Sequence, residues 1–234
     1  MKIHPFTIIY IFLACYLKIS HYIGFLLFSL LHEIGHYLVA YYFQFDIEYM
    51  MILPFGAFLS LKDFGKHPVI EEMIMLLCGP LVNLFFIILF YFLHQRYFMT
   101  INMFICLFNL LPIYPLDGSK ICHLILSFFL NYQLCFQIQL KLSLFIIAAG
   151  FVYVHSLGKV IVLFYLLYQN IIFYKNYRFI LIETILSDHN ENKPIKINQS
   201  YKYYRPYTNY YYFQNRIYDL SAVKNNLIKS MKSD

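Results

Sequence analysis

The stretch Leu31–Ala40, LHEIGHYLVA, decides how the rest of the chain is read. It lies inside an apolar run from Tyr22 to Phe43, long enough to cross a bilayer. His32 and His36 are spaced i, i+4, so a helix puts both imidazoles on one face, one turn apart, with Glu33 beside the first. Two imidazoles can hold a divalent zinc, and a neighbouring carboxylate can take a proton from water that the metal acidifies. In a soluble helix HExxH also arises by chance. At membrane depth ionisable groups are costly and mark functional sites, and here three share one turn, which favours a metal site.

The composition agrees with a membrane setting. Of 234 residues, 61% are hydrophobic, 21% aromatic and only 13% charged, which excludes an ordinary soluble domain. Several apolar runs approach or exceed spanning length, so the expected fold class is an all-α polytopic membrane protein. Six spans are expected: about Phe6–Leu17, Tyr22–Phe43, Met73–Leu93, an interrupted one beginning near Phe98, Leu140–His155 and Val160–Tyr174. The N-terminal run lacks a small-x-small cleavage site and reads as a retained first span. His4 and His21 flank it as interfacial residues.

Charge divides the chain into a spanning domain, 1–174, and a tail, 175–234. The tail carries ten basic and five acidic residues, most of the chain's formal +6, and this places it on the cytoplasmic side. Six spans then put the N-terminus there too. The tail's tyrosine-rich run SYKYYRPYTNYYYF can form strands of a small module or stay partly ordered. Contact with lipid or protein suits it better than direct nucleic-acid binding, since no recognised nucleic-acid motif is present. The five cysteines fall mostly in apolar segments without CxxC spacing and read as small core residues.

Three further stretches break the spans. Asp46–Lys62, DIEYMMILPFGAFLSLK, is rich in strand formers around Pro54 and Gly56. It admits two readings, a hairpin or re-entrant loop packed against protein, and an ordinary connecting loop. A hairpin edge could also add an extended peptide as a strand. CGPLVN, Cys78–Asn83, offers close approach or a kink at Gly79 and Pro80, and a buried amide at Asn83 in search of a partner. NLLPIYPLDGS, Asn109–Ser119, interrupts its span with Pro112 and Pro115. Asp117 then either turns inward or ends a helix at the interface; a zinc held by two histidines is one protein ligand short of a typical catalytic site.

HEIGH at 32–36 and NLLPIYPLDG at 109–118, each within a membrane span, resemble the site-2 protease family of intramembrane metalloproteases. IHPF at 3–6, LPFG at 53–56 and GPL at 79–81 look like its sporulation branch. The resemblance implies one Zn2+ held by His32, His36 and Asp117, with Glu33 as general base. It implies that Asn109, Pro115, Pro54 and Gly56 shape the substrate site, and that the hairpin is membrane-reentrant. It further implies a spore-former membrane, a protein substrate such as pro-sigma-K, and room for membrane-embedded inhibitory partner proteins. One departure stands out: relatives carry an ATP-sensing CBS domain, whereas about fifty residues follow Ile182 without the glycine-rich repeats of a tandem pair. At most the tail is a truncated CBS-like module, so nucleotide binding by it is in doubt.

Other classes fit less well. A desaturase or hydroxylase needs several histidine boxes, and a transporter would more often show paired repeats of broken helices. An inactive scaffold of the same family is expected to have lost a ligand or the base, yet all four positions are intact. A site-2-type protease acting on another membrane-associated substrate remains the alternative to pro-sigma-K processing.

Overall fold

The computed structural model describes residues 2–3, 20–53, 56–153, 157–187, 193–199, 202–213 and 216–233. The expected first span, His4 and Pro54 lie outside the described residues. The chain forms two compact units, Met1–Leu111 and Pro112–Asp234.

In the first unit, α1 (Ser20–Tyr42), α2 (Val69–Phe92) and α3 (Arg96–Asn109) follow the apolar runs. Phe28 of α1 is 5% exposed and packs edge-on against Phe86 and Phe90 of α2 and Phe98 of α3. This aromatic cluster joins the three helices. Both long helices stop in the same way. Gln44 (φ 60) and His94 (φ 55) turn left-handed, and the next amides, Phe45 and Gln95, reach back to the carbonyls of Ala40 and Phe90. This is the Schellman closure, here made without glycine.

Between α1 and α2 lies a hairpin, β2 (Ile47–Leu53) and β3 (Gly56–Leu61), antiparallel with Met51 opposite Phe58. Of the two sequence readings, the hairpin is the one found. Strand β1 (Lys2–Ile3) pairs parallel with β2, so among the described residues β2 is central and β3 forms an edge. The base of the hairpin is tied by Asp63, whose Oδ2 accepts from the Asp46 amide at 2.8 Å and faces His67 Nε2 at 2.7 Å.

The second unit holds α4 (Asp117–Ser127), α5 (Tyr132–Tyr153) and α6 (Leu157–Ser187). Where the sequence suggests an interrupted span, there are two short helices, α3 of 14 residues and α4 of 11, with the prolines between them in the chain. Among the described residues three helices are long and apolar enough to cross a membrane, Tyr22–Tyr42, Val69–Phe92 and Tyr132–Tyr153. The molecule is a mostly helical membrane protein with small sheets. Helix α6 has 31 residues, about 46 Å at 1.5 Å per residue, and residue 174 lies within it.

The last turns of α6 support the tail. There β4 (Ile195–Asn198) pairs parallel with β5 (Thr208–Phe213), β5 pairs antiparallel with β6 (Arg216–Tyr218), and α7 (Leu220–Ser233) follows. Tyr203, Tyr211, Leu220 and Val223 bury themselves against Tyr132 and Phe136 of α5 and Tyr177, Leu181 and Ile185 of α6. The tyrosines thus build a core here. Lys196 lies over the rings of Tyr204 and Tyr207, 3.5 and 4.7 Å from their centres, and desolvation lowers its pKa.

Asp219 caps α7. Its Oδ1 accepts from the Ala222 amide and the Ser221 hydroxyl, both at 2.9 Å, and the Ala222 bond foremost holds its pKa below the ordinary carboxylate value. Asp219→Ala is expected to cost α7 about 1 kcal/mol at neutral pH. Because the folded pKa is depressed, the cap's charge-dependent contribution is complete above the unfolded value of about 3.9 and fades as pH falls through the lower folded one. Hydrogen exchange of residues 220–233 in both variants checks this: the difference should be present at neutral pH and shrink on acidification.

Candidate metal centre

Helix α1 presents His32 and His36, 1% and 4% exposed, on one face as their spacing predicts. Their Nε2 atoms lie 3.1 Å apart and their rings meet edge-on. Both Nδ1 atoms point away, each to its own partner. His36 Nδ1 donates to the carbonyl of Met75 at 2.8 Å. His32 Nδ1 lies 2.5 Å from Asn83 Oδ1. A carbonyl only accepts, so the His36 proton sits on Nδ1 and its Nε2 carries the lone pair.

Helix α2 is shaped to receive these rings. A Cβ at Gly79 would collide with His36 Nε2 and lie 2.7 Å from His32 Nε2. One helix position on, Pro80 lacks an N–H and removes the helical bond to the Leu76 carbonyl. On α1, a Cβ at Gly35 would stand 2.8 Å from Val82 and 3.1 Å from the Cys78 carbonyl. The two glycines therefore answer each other: Gly35 lets the α2 backbone approach, and Gly79 leaves room at the imidazole nitrogens.

These features fit a zinc ion. Two buried imidazole nitrogens converge on a space that a single methyl group would fill. Each ring is held from behind by a hydrogen bond on its other nitrogen, the arrangement metal-binding histidines use. Glu33 is half-buried, one residue after His32.

The hairpin is anchored close by in sequence. Ser29, one turn before Glu33, accepts the Ala57 amide of β3 at 3.0 Å, and a Cβ at Gly56 (φ 139) would lie 2.8 Å from the Ser29 hydroxyl. Gly56 is needed there twice over, for its backbone angle and for its closeness to α1. Asn109 is the half-buried last residue of α3.

In the second unit Asp117 is half-buried at the first position of α4, and Pro115 precedes it after a cis Tyr114–Pro115 bond. The proline-rich interruption leaves backbone groups without helical partners, and buried side chains supply them. Ser143 Oγ accepts the Tyr114 amide at 3.0 Å and reaches the Pro112 carbonyl at 3.3 Å. Asn170 Nδ2 donates to the Tyr114 carbonyl at 2.8 Å, while the Tyr114 ring stacks on Phe173, 4.0 Å between centres. Such internal satisfaction is what hydrocarbon surroundings demand.

Sequence reading singled out neither Ser143, Asn170, Gly35 nor Ser29. The one local signal was a glycine inside an apolar helix at position 35, which marks close packing as readily as a weak helix.

Comparisons with known proteins bear on these features. Residues 20–98 match the model of peptidase family M50. The chain is 33% identical over 156 residues to stage IV sporulation protein FB of Bacillus subtilis, covering 62% of this chain and 54% of that one. It is 30% identical over 154 residues to a zinc metalloprotease of Methanocaldococcus jannaschii, covering 61% and 41%. The chain thus spans about half the length of these relatives. The site-2 protease from Methanocaldococcus jannaschii shares its fold with a TM-score of 0.55 at 23% identity, covering 72% of this chain and 87% of that one.

Proposed function

We propose that this chain, a relative of the peptidase family M50 proteins with Zn2+ as the cofactor that kinship implies, is an intramembrane peptidase. It cuts a peptide bond in or near the bilayer, and its substrate is pro-sigma-K or a close counterpart, by analogy with the sporulation relative. The observation that carries the reading is the pair of Nε2 atoms converging over Gly79. Such chemistry needs an electrophile and a base, and the HEIGH turn supplies the base at Glu33 and two ligands that would hold the metal electrophile.

His32 and His36 would hold the metal from α1, with Asp117 at the start of α4 assigned as the third ligand. Zinc, when bound, acidifies water and polarises the scissile carbonyl. Glu33 accepts the proton of the attacking water and returns it to the leaving amine. Substrate is bound as an extended segment along β3, the edge of the hairpin that Ser29 ties to α1. Asn109, Pro115, Pro54 and Gly56 shape that path. The basic tail and the N-terminus face the cytoplasm of a spore-forming bacterium, the tail against anionic lipid or protein.

Co-expression with a candidate pro-sigma-K tests the substrate. A shortened product with the intact chain, and none with Asp117→Asn, is the expected result. If neither yields product although the folded chain holds zinc and cuts a generic membrane peptide, the pro-sigma-K assignment fails and another membrane-associated substrate takes its place.

A further inference from the structure

His32 is held by more than one residue. Behind its Nδ1 stands Asn83 Oδ1; Asn83 Nδ2 donates to Asn102 Oδ1 at 3.0 Å; and Asn102 Nδ2 donates to the Phe98 carbonyl at 2.9 Å. Asn83 and Asn102 are both 0% exposed. The line runs from α1 through α2 to α3 and ends on a backbone oxygen.

That ending gives the line a direction. An amide can present either its oxygen or its NH2 group, so a chain of two asparagines could run either way. The Phe98 carbonyl only accepts, so Asn102 must turn its NH2 towards it and its oxygen towards Asn83. Asn83 must then give its NH2 to Asn102 and its oxygen to His32. An oxygen facing Nδ1 keeps the imidazole proton there and leaves the lone pair on Nε2, the atom that meets His36 across the Gly79 gap. His36 gets the same instruction directly from the Met75 carbonyl.

We propose that Asn102, together with Asn83, is a positioning residue that sets the His32 tautomer and thereby the affinity of the site for zinc. Asn102 acts through Asn83, by fixing which end of that amide His32 meets. Without an acceptor at residue 102 the Asn83 amide is free to turn over. Its NH2 then faces Nδ1, the proton moves to Nε2, and the ligand lone pair is lost. The inference rests on the metal reading above.

The test measures zinc affinity by chelator competition in purified, folded protein, and the His32 tautomer by ring-nitrogen NMR of the metal-free form. Asn102→Leu keeps the volume and removes the acceptor; zinc binding should weaken about 10- to 100-fold, with Nε2-protonated His32 appearing. Asn102→Asp, protonated in its buried setting, can donate to Phe98 and accept from Asn83, and should bind within a few fold of the parent. Asn83→Asp offers His32 an acceptor regardless of residue 102, so adding Asn102→Leu to it should change nothing further. That pair decides the matter even if Asn102→Leu alone misfolds. Equal affinity and an unchanged tautomer in Asn102→Leu would overturn the proposal, as would loss of zinc in the double variant alone. A parent protein that binds no zinc would instead overturn the metal reading itself, and this proposal with it.

Discussion

Replacing Glu33 with Gln is expected to leave zinc bound and to lower peptide hydrolysis by about 100- to 10,000-fold, the range a positioned general base contributes. The amide is isosteric with the carboxylate, so the helix and the half-buried site around residue 33 should be preserved. What it lacks is basicity: it cannot take the proton of the attacking water. Zinc content and turnover of a membrane peptide, measured on the same preparation, check this. Retained metal with lost turnover identifies the base. Lost metal would make Glu33 a structural or ligating group, and retained turnover would place the base elsewhere.

Gly79→Ala is expected to have the second large effect, through the metal rather than through the proton. The new Cβ would occupy the space at both Nε2 atoms, colliding with His36 and standing 2.7 Å from His32. The imidazoles cannot yield easily, because the Met75 carbonyl and Asn83 hold them from behind. Zinc affinity should fall on the order of 100-fold or more, the upper end of what disturbed ligand support costs. Helical folding should survive, since alanine suits a helix interior better than glycine does. Zinc titration together with far-ultraviolet circular dichroism separates the two: an unchanged spectrum with weakened zinc binding is the expected pair. Tight zinc binding in Gly79→Ala would show that the gap between the nitrogens is not where the metal sits.

Much of the candidate site was legible because it is written in local spacing. His32 and His36 share a helix face by arithmetic, and their apolar surroundings made three ionisable groups on one turn significant. Gly79 and Asn83 were legible as a close approach and a buried amide, and both are found in those roles. The hairpin was one of two readings that the strand formers around Gly56 allowed, and its attachment to α1 through Ser29 had no local signature.

What stayed hidden depends on which elements meet. Asn102 sits in an apolar helix that reads like any span, and its meaning arises only when α2 and α3 pack and Asn83 comes within 3.0 Å. Ser143 and Asn170 are likewise ordinary polar residues in apolar helices until the proline-rich interruption presents the Tyr114 backbone to them. The tail was hardest to read. Its tyrosines alternate poorly, yet Tyr203 and Tyr211 are 1% and 0% exposed against α5 and α6, because the long helix α6 supplies a wall for them. Helix bounds were clearest where one apolar run makes one helix, as at Val69–Phe92, and least clear where two prolines separate α3 from α4.

If a metal between His32 and His36 drives peptide hydrolysis, as proposed, turnover must depend on it. The most direct measurement is the turnover of a fluorogenic transmembrane peptide by the purified chain in lipid vesicles, before chelation, after it, and after zinc is returned. Turnover that disappears with the metal and returns at one equivalent of zinc is the predicted result. Turnover that continues undiminished in a chain shown to be free of metal would contradict it.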